Sequence, residues 1–454
     1  MSVNDRLVTQ QKRYVKLTPT NNSSNTWSYA AGNNILRFSI AEQDAYLLAN
    51  QVELQFNFKV RADSTATGAN LTNESNFQID EKIGVEGIIK TLTVSSRRYA
   101  TSICEQIRDW NQLVSIAKPA LSSKRDILTQ HNHGNIAVGQ GIYNTDEESI
   151  NAADLGLLRT ADSKLQRKFY QVGTNAGPAA RAKNLGWDCS MNLYSGIFLQ
   201  NKLDLRLFGG LEVEIELGSN VNLFENADNN VSYEISDVIL NCPFLYKSDA
   251  ELAAGTQPTS LQFLTWNSLY NVAQSTDTTI TNKVGIRSVL SMVQKFVPVS
   301  YINNTAQHAK AFAGWNPGIK RLTYHRNGQR YPLEYEIKTE RGEGNPDVEV
   351  IKEKNPQVLI NSLSAFQNYK DVKHTHLTSQ NLDNRTNAPY FLGVSFDQIS
   401  GQGIDLSGGT VSTELVSTLQ NPQDNSVVPF GVYTFFLNKN TLVIQPNQRI
   451  QSIE

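Results

Sequence analysis

Two pairs of histidines have the spacing that most resembles a metal site. His131 and His133 are separated by one residue, as are His374 and His376. Side chains two positions apart on a strand share a face, so either pair could share a metal ion. However, no Cys or carboxylate lies at ligand spacing beside either pair, and both pairs lie in polar sequence typical of loops. We therefore predict solvated loops, with no metal and no cofactor.

A row of glutamates could act as a set of catalytic carboxylates. Glu212, Glu214 and Glu216 would lie on one face of a strand. The residues that alternate with them from Leu211 to Leu217 are all aliphatic, which is the pattern of a strand with one buried and one wet face. We therefore predict that the three glutamates are solvated.

Three glycine pairs could be taken for phosphate-binding turns. Gly139 and Gly141, Gly342 and Gly344, and Gly401 and Gly403 each form a Gly-x-Gly pair. None follows a predicted strand and opens a helix, and none is followed by Lys-Ser or Lys-Thr. The motifs of serine hydrolases and zinc proteases are also absent from the sequence. We predict turn glycines, no catalytic residues and no enzymatic activity.

A basic segment near the N-terminus is the remaining candidate site. It contains Arg6, Lys12, Arg13 and Lys16. Such a segment is either a frayed, solvated terminus or an ordered arm that contacts a neighbouring subunit or nucleic acid. We retain these four residues as the candidate interaction site.

Length and composition limit the class of protein. The chain has 454 residues, enough for two domains with full cores, and a formal net charge of −2, which argues against a dedicated or sequence-specific nucleic-acid binder. Cys104, Cys189 and Cys242 are far apart and predict buried thiols rather than disulfides. No stretch is apolar and long enough for a signal peptide or membrane span, which predicts synthesis inside a cell and no transmembrane segment.

Alternating apolar residues predict many strands and few helices. Residues 51–60 alternate apolar and polar side chains, which predicts a strand with one wet face. Helical spacing over 102–117 predicts a helix, with Ser102 as N-cap, Glu105 three residues later, and Pro119 after its end. Asn327-Gly328 is the strongest hairpin signal in the chain.

The chain closes twice in a similar way, which predicts two tandem domains. In the first half we predict strands over 196–208, 211–217 and 233–240, with a turn at Gly209-Gly210; in the second half, strands over 390–396, 411–415 and 431–437. Long polar stretches precede both closings. The prediction is all-β: an arm over 1–25 and two antiparallel sandwiches over 26–250 and 251–454, with short helices and long loops.

This organisation resembles the double jelly-roll major capsid proteins of icosahedral double-stranded DNA viruses, most of all those of virophages and polinton-like viruses. The resemblance spans nearly the whole chain and rests on segments of moderate specificity. These segments are Tyr233–Leu240, Asn327–Pro332, Tyr390–Phe396 with Gly403–Leu406, and Val432–Ile444. It implies that each sandwich is an eight-stranded jelly roll.

The resemblance also implies a function in assembly. Three copies would form a homotrimeric capsomer of pseudo-hexagonal outline, with upright strands and with the basic arm on the inner face. Capsomers would contact neighbouring capsomers, a penton protein and minor capsid proteins, and the protein would be located in the virion. Trp110, Trp187 and Trp315 are candidates for subunit anchors or for core residues.

Two other functions are compatible with the sequence. One is a single jelly-roll capsid protein of a small single-stranded DNA virus, with large insertions and about half the strands. The other is a β-sandwich carbohydrate-binding protein or glycosidase, which would need an aromatic platform or a carboxylate pair in a cleft.

Overall fold

The structure is a computed structural model, and it describes most of both halves of the chain. The described residues are 12–21, 25–62, 78–79, 83–98, 102–121, 187–225, 231–248, 251–252, 260–302, 311–312, 314–333, 335–338, 355–367, 390–396, 403–420, 426–444 and 450–453. His131, His133, His374, His376, Arg6 and the glycine pairs at 139, 141, 342 and 344 lie outside these ranges, as does Gly401.

The described residues of the first half form strands β1 to β13 and two helices. The strands are β1 (Lys12–Leu17), β2 (Thr26–Trp27), β3 (Ile35–Ile40), β4 (Ala45–Leu47), β5 (Glu53–Ala62), β6 (Gln78–Ile79), β7 (Ile89–Ser96), β8 (Ile103–Ile107), β9 (Trp187–Asn192), β10 (Leu203–Asp204), β11 (Leu211–Leu217), β12 (Phe224–Glu225) and β13 (Val231–Tyr246). The helices are α1 (Trp110–Leu121) and α2 (Asn220–Leu223), and 3-10 turns occupy Ala49–Gln51, Gly84–Ile88 and Leu205–Leu207.

Within the ranges given above, the second half has strands β14 to β22 and one α-helix. The strands are β14 (Ser260–Ala273), β15 (Asp277–Asn282), β16 (Val289–Pro298), β17 (Ile319–Arg326), β18 (Gln329–Arg330), β19 (Leu392–Ser395), β20 (Val411–Ser417), β21 (Phe430–Ile444) and β22 (Ile450–Ile453). The helix is α3 (Asn355–Gln367), and Val299–Tyr301 form a 3-10 turn.

Both halves have the same strand order in two antiparallel sheets. In the second half, one sheet has the order β14-β21-β16-β19 and the other β15-β20-β17-β18. In the first half, β1 and β2 share the edge next to β13, giving β1/β2-β13-β5-β9 in one sheet and β3-β11-β7-β8 in the other. Short strands extend these sheets: β4 pairs with β13 and β10 with β4 in the first half, and β22 pairs with β21 in the second. When these strands, β2 and the separate β6-β12 pair are set aside, eight strands remain in each half, and in chain order they follow the orders one-eight-three-six and two-seven-four-five. This is the eight-stranded, two-sheet jelly-roll arrangement, present twice.

The alternation read from the sequence accounts for the strands that form the sheets. In β5, Leu54, Phe56 and Phe58 are buried while the residues between them are partly exposed. In β11, the aliphatic residues are buried and Glu212, Glu214 and Glu216 lie on the other face, where Glu214 pairs with Arg37 at 2.8 Å and Glu216 with Lys90 at 3.1 Å. The prediction that these glutamates face solvent is therefore confirmed.

The Asn327-Gly328 turn is also confirmed. It joins β17 to β18, and both residues have positive φ, 51° and 79°. The Asn327 side chain accepts a hydrogen bond from the Thr410 backbone N–H at 2.9 Å, which ties the turn to the segment before β20. Positive φ at both central residues is what a type I′ turn requires, and Asn-Gly favours it.

The predicted helix over 102–117 is wrong at its start. Residues Ile103–Ile107 form β8, which pairs with β7, and the chain turns at Asp109, whose φ is 50°. Helix α1 begins only at Trp110 and includes Pro119 in its last turn. Apolar residues over 103–107 fit either period, and pairing with β7 decides in favour of the strand.

The predicted strand over 196–208 is also wrong. This segment consists of turns, the short β10 and a 3-10 turn. Local side-chain bonds favour those turns: Ser195 accepts from the Phe198 backbone N–H and Asp204 accepts from that of Arg206. The strand that pairs with β5 at this edge of the sheet is instead β9 (Trp187–Asn192).

The domain division stays a prediction, although strand pairing respects it. Among the described residues, no strand of 12–246 pairs with a strand of 260–453. Lys12–Leu17, which we assigned to the arm, form β1 and belong to the first sheet. The buried hydrophobic cluster nevertheless runs through both halves.

Candidate assembly surfaces

The basic residues Lys12, Arg13 and Lys16 lie on the exposed edge strand β1. Strand β1 pairs along its length with β13, from Lys12 opposite Leu245 to Leu17 opposite Leu240. The Lys12 ammonium donates to the Gln51 amide oxygen at 2.7 Å, and Arg13 donates to the Tyr246 hydroxyl at 3.4 Å. This part of the predicted arm is thus an ordered strand, and its interaction role stays a prediction.

The outer side of β1 has the features of a contact surface. Within the described chain β1 pairs with β13 alone, so its other edge carries backbone groups available to a partner. Tyr14 projects from it with 57% of its surface exposed, and the Lys12 ammonium lies 4.8 Å from the Tyr14 ring centroid. Three cations and an exposed aromatic ring therefore share one short strand.

A second region, which we call the seam, joins the two halves through a buried carboxylate. Glu105 of β8 accepts hydrogen bonds from the backbone N–H groups of Gly196 and Ile197, at 2.8 and 3.0 Å. It also accepts one from the Thr265 hydroxyl of β14, at 2.7 Å. Burial raises the pKa of Glu105 above its usual value, while these hydrogen bonds oppose that rise. First-half and second-half groups thus bind one carboxylate.

Gly196 permits the close approach of the halves at the seam. A Cβ at this position would overlap the Leu264 carbonyl oxygen of β14 and would lie 2.7 Å from the Phe263 ring. Its backbone N–H is one of the donors to Glu105. Only a glycine leaves room for β14 here.

A buried lysine makes a second polar connection between the two halves. Lys295 of β16 is fully buried. Its ammonium donates to the Gln112 amide oxygen at 2.7 Å and to the Ser115 hydroxyl at 2.6 Å, both on α1, and to the Phe312 carbonyl at 2.6 Å. Its three N–H donors are therefore all used, as a buried cation requires.

A polar cavity of about 370 Å³ lies along the seam beside Glu105. It is bounded by β8, by β14 and by Asn440 of β21. The contact between the halves is therefore polar and incompletely packed beside Glu105, although the hydrophobic cluster continues through both halves elsewhere.

The other sequence candidates lie within the core or outside the described chain. Trp110 and Trp315 are buried, so the core interpretation holds for these two, and Trp187 lies in β9. Cys104, Cys189 and Cys242 are buried free thiols, as predicted. Within the described ranges, no cluster of three His, Cys, Asp or Glu side chains forms a potential metal site. None of the helices placed there is long and apolar enough to cross a membrane.

Sequence reasoning missed the two charged residues of the seam. A signal for Lys295 was present, because it stands within Val289–Pro298, a strand that is otherwise largely apolar and is buried throughout. Glu105 had been assigned to a helix cap. Its burial depends on partners 91 and 160 residues away, which no local pattern shows.

Comparison with known proteins supports the architecture. No protein-family model and no curated protein matches the sequence. A chain of the PBCV-1 virus capsid is similar in structure, with a TM-score of 0.55 and 8% identity, over 98% of this chain and 97% of that one. A chain of the Sputnik virophage gives a TM-score of 0.56 and 12% identity, over 98% and 88%. The Faustovirus major capsid protein gives 0.50 and 7%, over 96% and 91%.

These likenesses establish the fold over nearly the whole chain. The protein has the double jelly-roll fold found in viral major capsid proteins. The strand order of the two halves gives the same architecture independently of these comparisons. A single jelly roll with large insertions is therefore wrong.

Proposed function

We propose that this chain is the major capsid protein of an icosahedral double-stranded DNA virus. The observation that supports this most is the repetition of one jelly-roll strand order in a single chain, with a buried polar seam between the copies. Two such units held at a defined angle allow three chains to present six similar faces. A chain of the PBCV-1 virus capsid and a chain of the Sputnik virophage have this fold over 97% and 88% of their lengths.

The proposed role is structural and not enzymatic. The protein would form homotrimeric, pseudo-hexagonal capsomers that contact neighbouring capsomers, a penton protein and minor capsid proteins in the virion. The formal net charge of −2 suits a shell that need not bind its genome tightly. A carbohydrate-binding or glycosidase function has less support, because the exposed glutamates of β11 pair with Arg37 and Lys90 on an open sheet face.

For the basic arm we propose a contact on the inner face of the shell. Lys12, Arg13 and Lys16 on an ordered edge strand, with Arg6 before it, would meet a neighbouring subunit or nucleic acid. The order of β1 supports an arm that is positioned for contact rather than frayed.

The solution mass of the purified protein tests the proposed function. We expect light scattering at neutral pH to give three times the chain mass of 50.6 kDa. Negative-stain images should show particles of hexagonal outline. A stable monomer would contradict the proposal, and sugar-dependent thermal stabilisation of that monomer would favour the carbohydrate-binding alternative.

A further inference from the structure

The polar cavity at the seam lies along the open edge of β8. Its lining includes the consecutive residues 103–106 of this strand, followed by Arg108. Consecutive residues of a strand point to opposite faces, so a cavity that meets all of them runs along the edge of the strand rather than over one face. Within the described chain β8 pairs with β7 alone. The backbone groups of its other edge are therefore open to pairing with an added strand.

The opposite wall of the cavity is polar. Thr265, Asn267 and Ser268 of β14 and Asn440 of β21 line it. The Ser268 hydroxyl oxygen is buried and has no hydrogen-bond partner among the described residues. A buried hydroxyl without a partner costs free energy unless a ligand or water supplies one. An extended backbone supplies both the N–H donors and the C=O acceptors that hydroxyl and amide side chains need.

The cavity has the size of a binding site and an exposed apolar side chain on each side. Its volume of about 370 Å³ falls within the roughly 300–1,000 Å³ of ligand pockets. Ile103 on β8 is 52% exposed. Tyr270, two residues beyond Ser268 on the same face of β14, is 44% exposed. These two side chains can contact the side chains of a segment that lies in the cavity.

Arg108 gives the cavity a preference for an anionic group. Its exposed side chain donates to the Gln106 amide oxygen at 3.2 Å and forms no ion pair within the described ranges. Burial raises the pKa of the neighbouring Asp109, and the charge of Arg108 acts on that carboxyl only by opposing the rise. Glu105 already accepts from its own donors. Arg108 is thus the charged group of the wall that can bind a carboxylate of a ligand.

We propose that β8 binds an extended peptide segment of a partner protein as an added strand, with an Asp or Glu side chain of that peptide paired with Arg108. Strand addition of this kind obtains affinity from backbone hydrogen bonds and specificity from the side chains along the groove. The site goes beyond the proposed assembly function and lies within a single chain. A segment bound there would contact both halves and hold the seam closed.

Peptides selected from a phage-displayed library of random heptapeptides provide the probe. Selection on the wild-type protein, with depletion on Arg108→Gln, should recover peptides with an Asp or Glu at one position. We expect the best synthetic peptide to bind wild type at least about tenfold more tightly than Arg108→Gln in calorimetric titrations, because the substitution removes a charged hydrogen bond. Arg321→Gln, at an exposed position of β17, is the matched control and should bind as wild type does.

Two further measurements test the ion pair and the added strand separately. Changing the acidic residue of the peptide to its amide should weaken binding to wild type about tenfold and leave binding to Arg108→Gln nearly unchanged. In hydrogen exchange, the bound peptide should slow the backbone amides of β8. The amides of β15, another edge strand, which pairs with β20 alone in the described chain, should not change.

The outcomes separate this inference from the proposed function. Failure to recover any peptide that distinguishes wild type from Arg108→Gln would overturn the inference, as would a selected peptide that leaves exchange in β8 unchanged. Both variants should keep the circular dichroism and melting temperature of wild type, so lost binding cannot be attributed to unfolding. The trimer needs no peptide, so a protein that binds the peptide as a monomer contradicts only the proposed function, and a trimer that binds none contradicts only this inference.

Discussion

Two buried charged residues stabilise the contact between the two halves of the chain. Glu105 and Lys295 are each fully enclosed, and each binds groups from the opposite half of the chain. Removing one partner from such a site leaves desolvated groups without hydrogen bonds, which costs more than a typical surface contact contributes. These two residues should therefore matter far more for stability than the more numerous exposed ion pairs.

Replacing Glu105 tests this at one position. Glu105→Ala leaves two backbone N–H groups and the Thr265 hydroxyl without an acceptor, so we expect the free energy of unfolding to fall by about 3–5 kcal/mol. Urea denaturation would measure the change. Glu212→Ala, at an exposed position of β11, is the control and should stay within about 0.5 kcal/mol of wild type. Equal effects of the two substitutions would show that the seam carboxylate has no special role.

Asp204 provides a pH-dependent test in the first half. It accepts from the Lys247 ammonium at 2.9 Å and from the Arg206 guanidinium at 2.8 Å. Burial alone would raise the pKa of Asp204, but these donors hold it below its usual value. A lowered carboxyl pKa contributes stability that is present above about pH 4 and is lost as the pH falls through the folded-state pKa.

We therefore expect Asp204→Asn to destabilise the protein by about 2–4 kcal/mol at pH 7, because it leaves the buried Lys247 without its anion. The difference from wild type should shrink as the pH falls from about 4 through the lowered folded-state pKa of Asp204, below which the wild-type carboxyl is protonated in both states. Thermal melts across this pH range would measure it. Asp188→Asn, at an exposed position that accepts from the Asn57 amide at 3.0 Å, is the control and should cost less than about 1 kcal/mol at pH 7. A difference at Asp204 that does not change with pH would contradict this explanation.

At the scale of elements, the contact between the halves depends on backbone proximity. Gly196 lies against β14 with no space for a side chain, whereas Gly285 has nothing within 4 Å of a Cβ and has no positive φ. The two glycines thus form a matched pair for substitution.

Gly196→Ala should separate the halves, because the added methyl group overlaps the Leu264 carbonyl. We expect a loss of several kcal/mol, on the order of 3, as for overpacking of a close contact, and unfolding of the two halves in separate transitions. Calorimetry would show one transition for wild type and two for the variant. Gly285→Ala should retain a single transition at nearly the same temperature. A single unshifted transition in Gly196→Ala would show that the halves are not coupled there.

Elements that neighbouring residues specify could be predicted from the sequence, whereas elements that depend on distant residues could not. Strands β5 and β11 and the Asn327-Gly328 hairpin were predictable, because alternation and turn chemistry act between near neighbours. The fate of Ile103–Ile107 was not, since its apolar spacing suits a helix as well as a strand and only pairing with β7 decides. The seam could not be predicted for the same reason, because Glu105 and Thr265 are 160 residues apart in the sequence.

For the whole molecule, the proposed capsid function depends on duplication of the jelly roll. One strand order occurs twice, and the seam fixes the two copies to each other through Glu105 and Lys295. The resemblance read from the sequence predicted the duplicated fold, but it could not predict the seam, because that depends on close packing between distant segments.

A single-particle reconstruction of the purified assembly would show directly whether the chain forms the proposed capsomer. The proposed function predicts three chains around a threefold axis, forming a pseudo-hexagonal ring of six jelly rolls in which first and second halves alternate. A monomer, or a ring in which first halves contact only first halves, would contradict it.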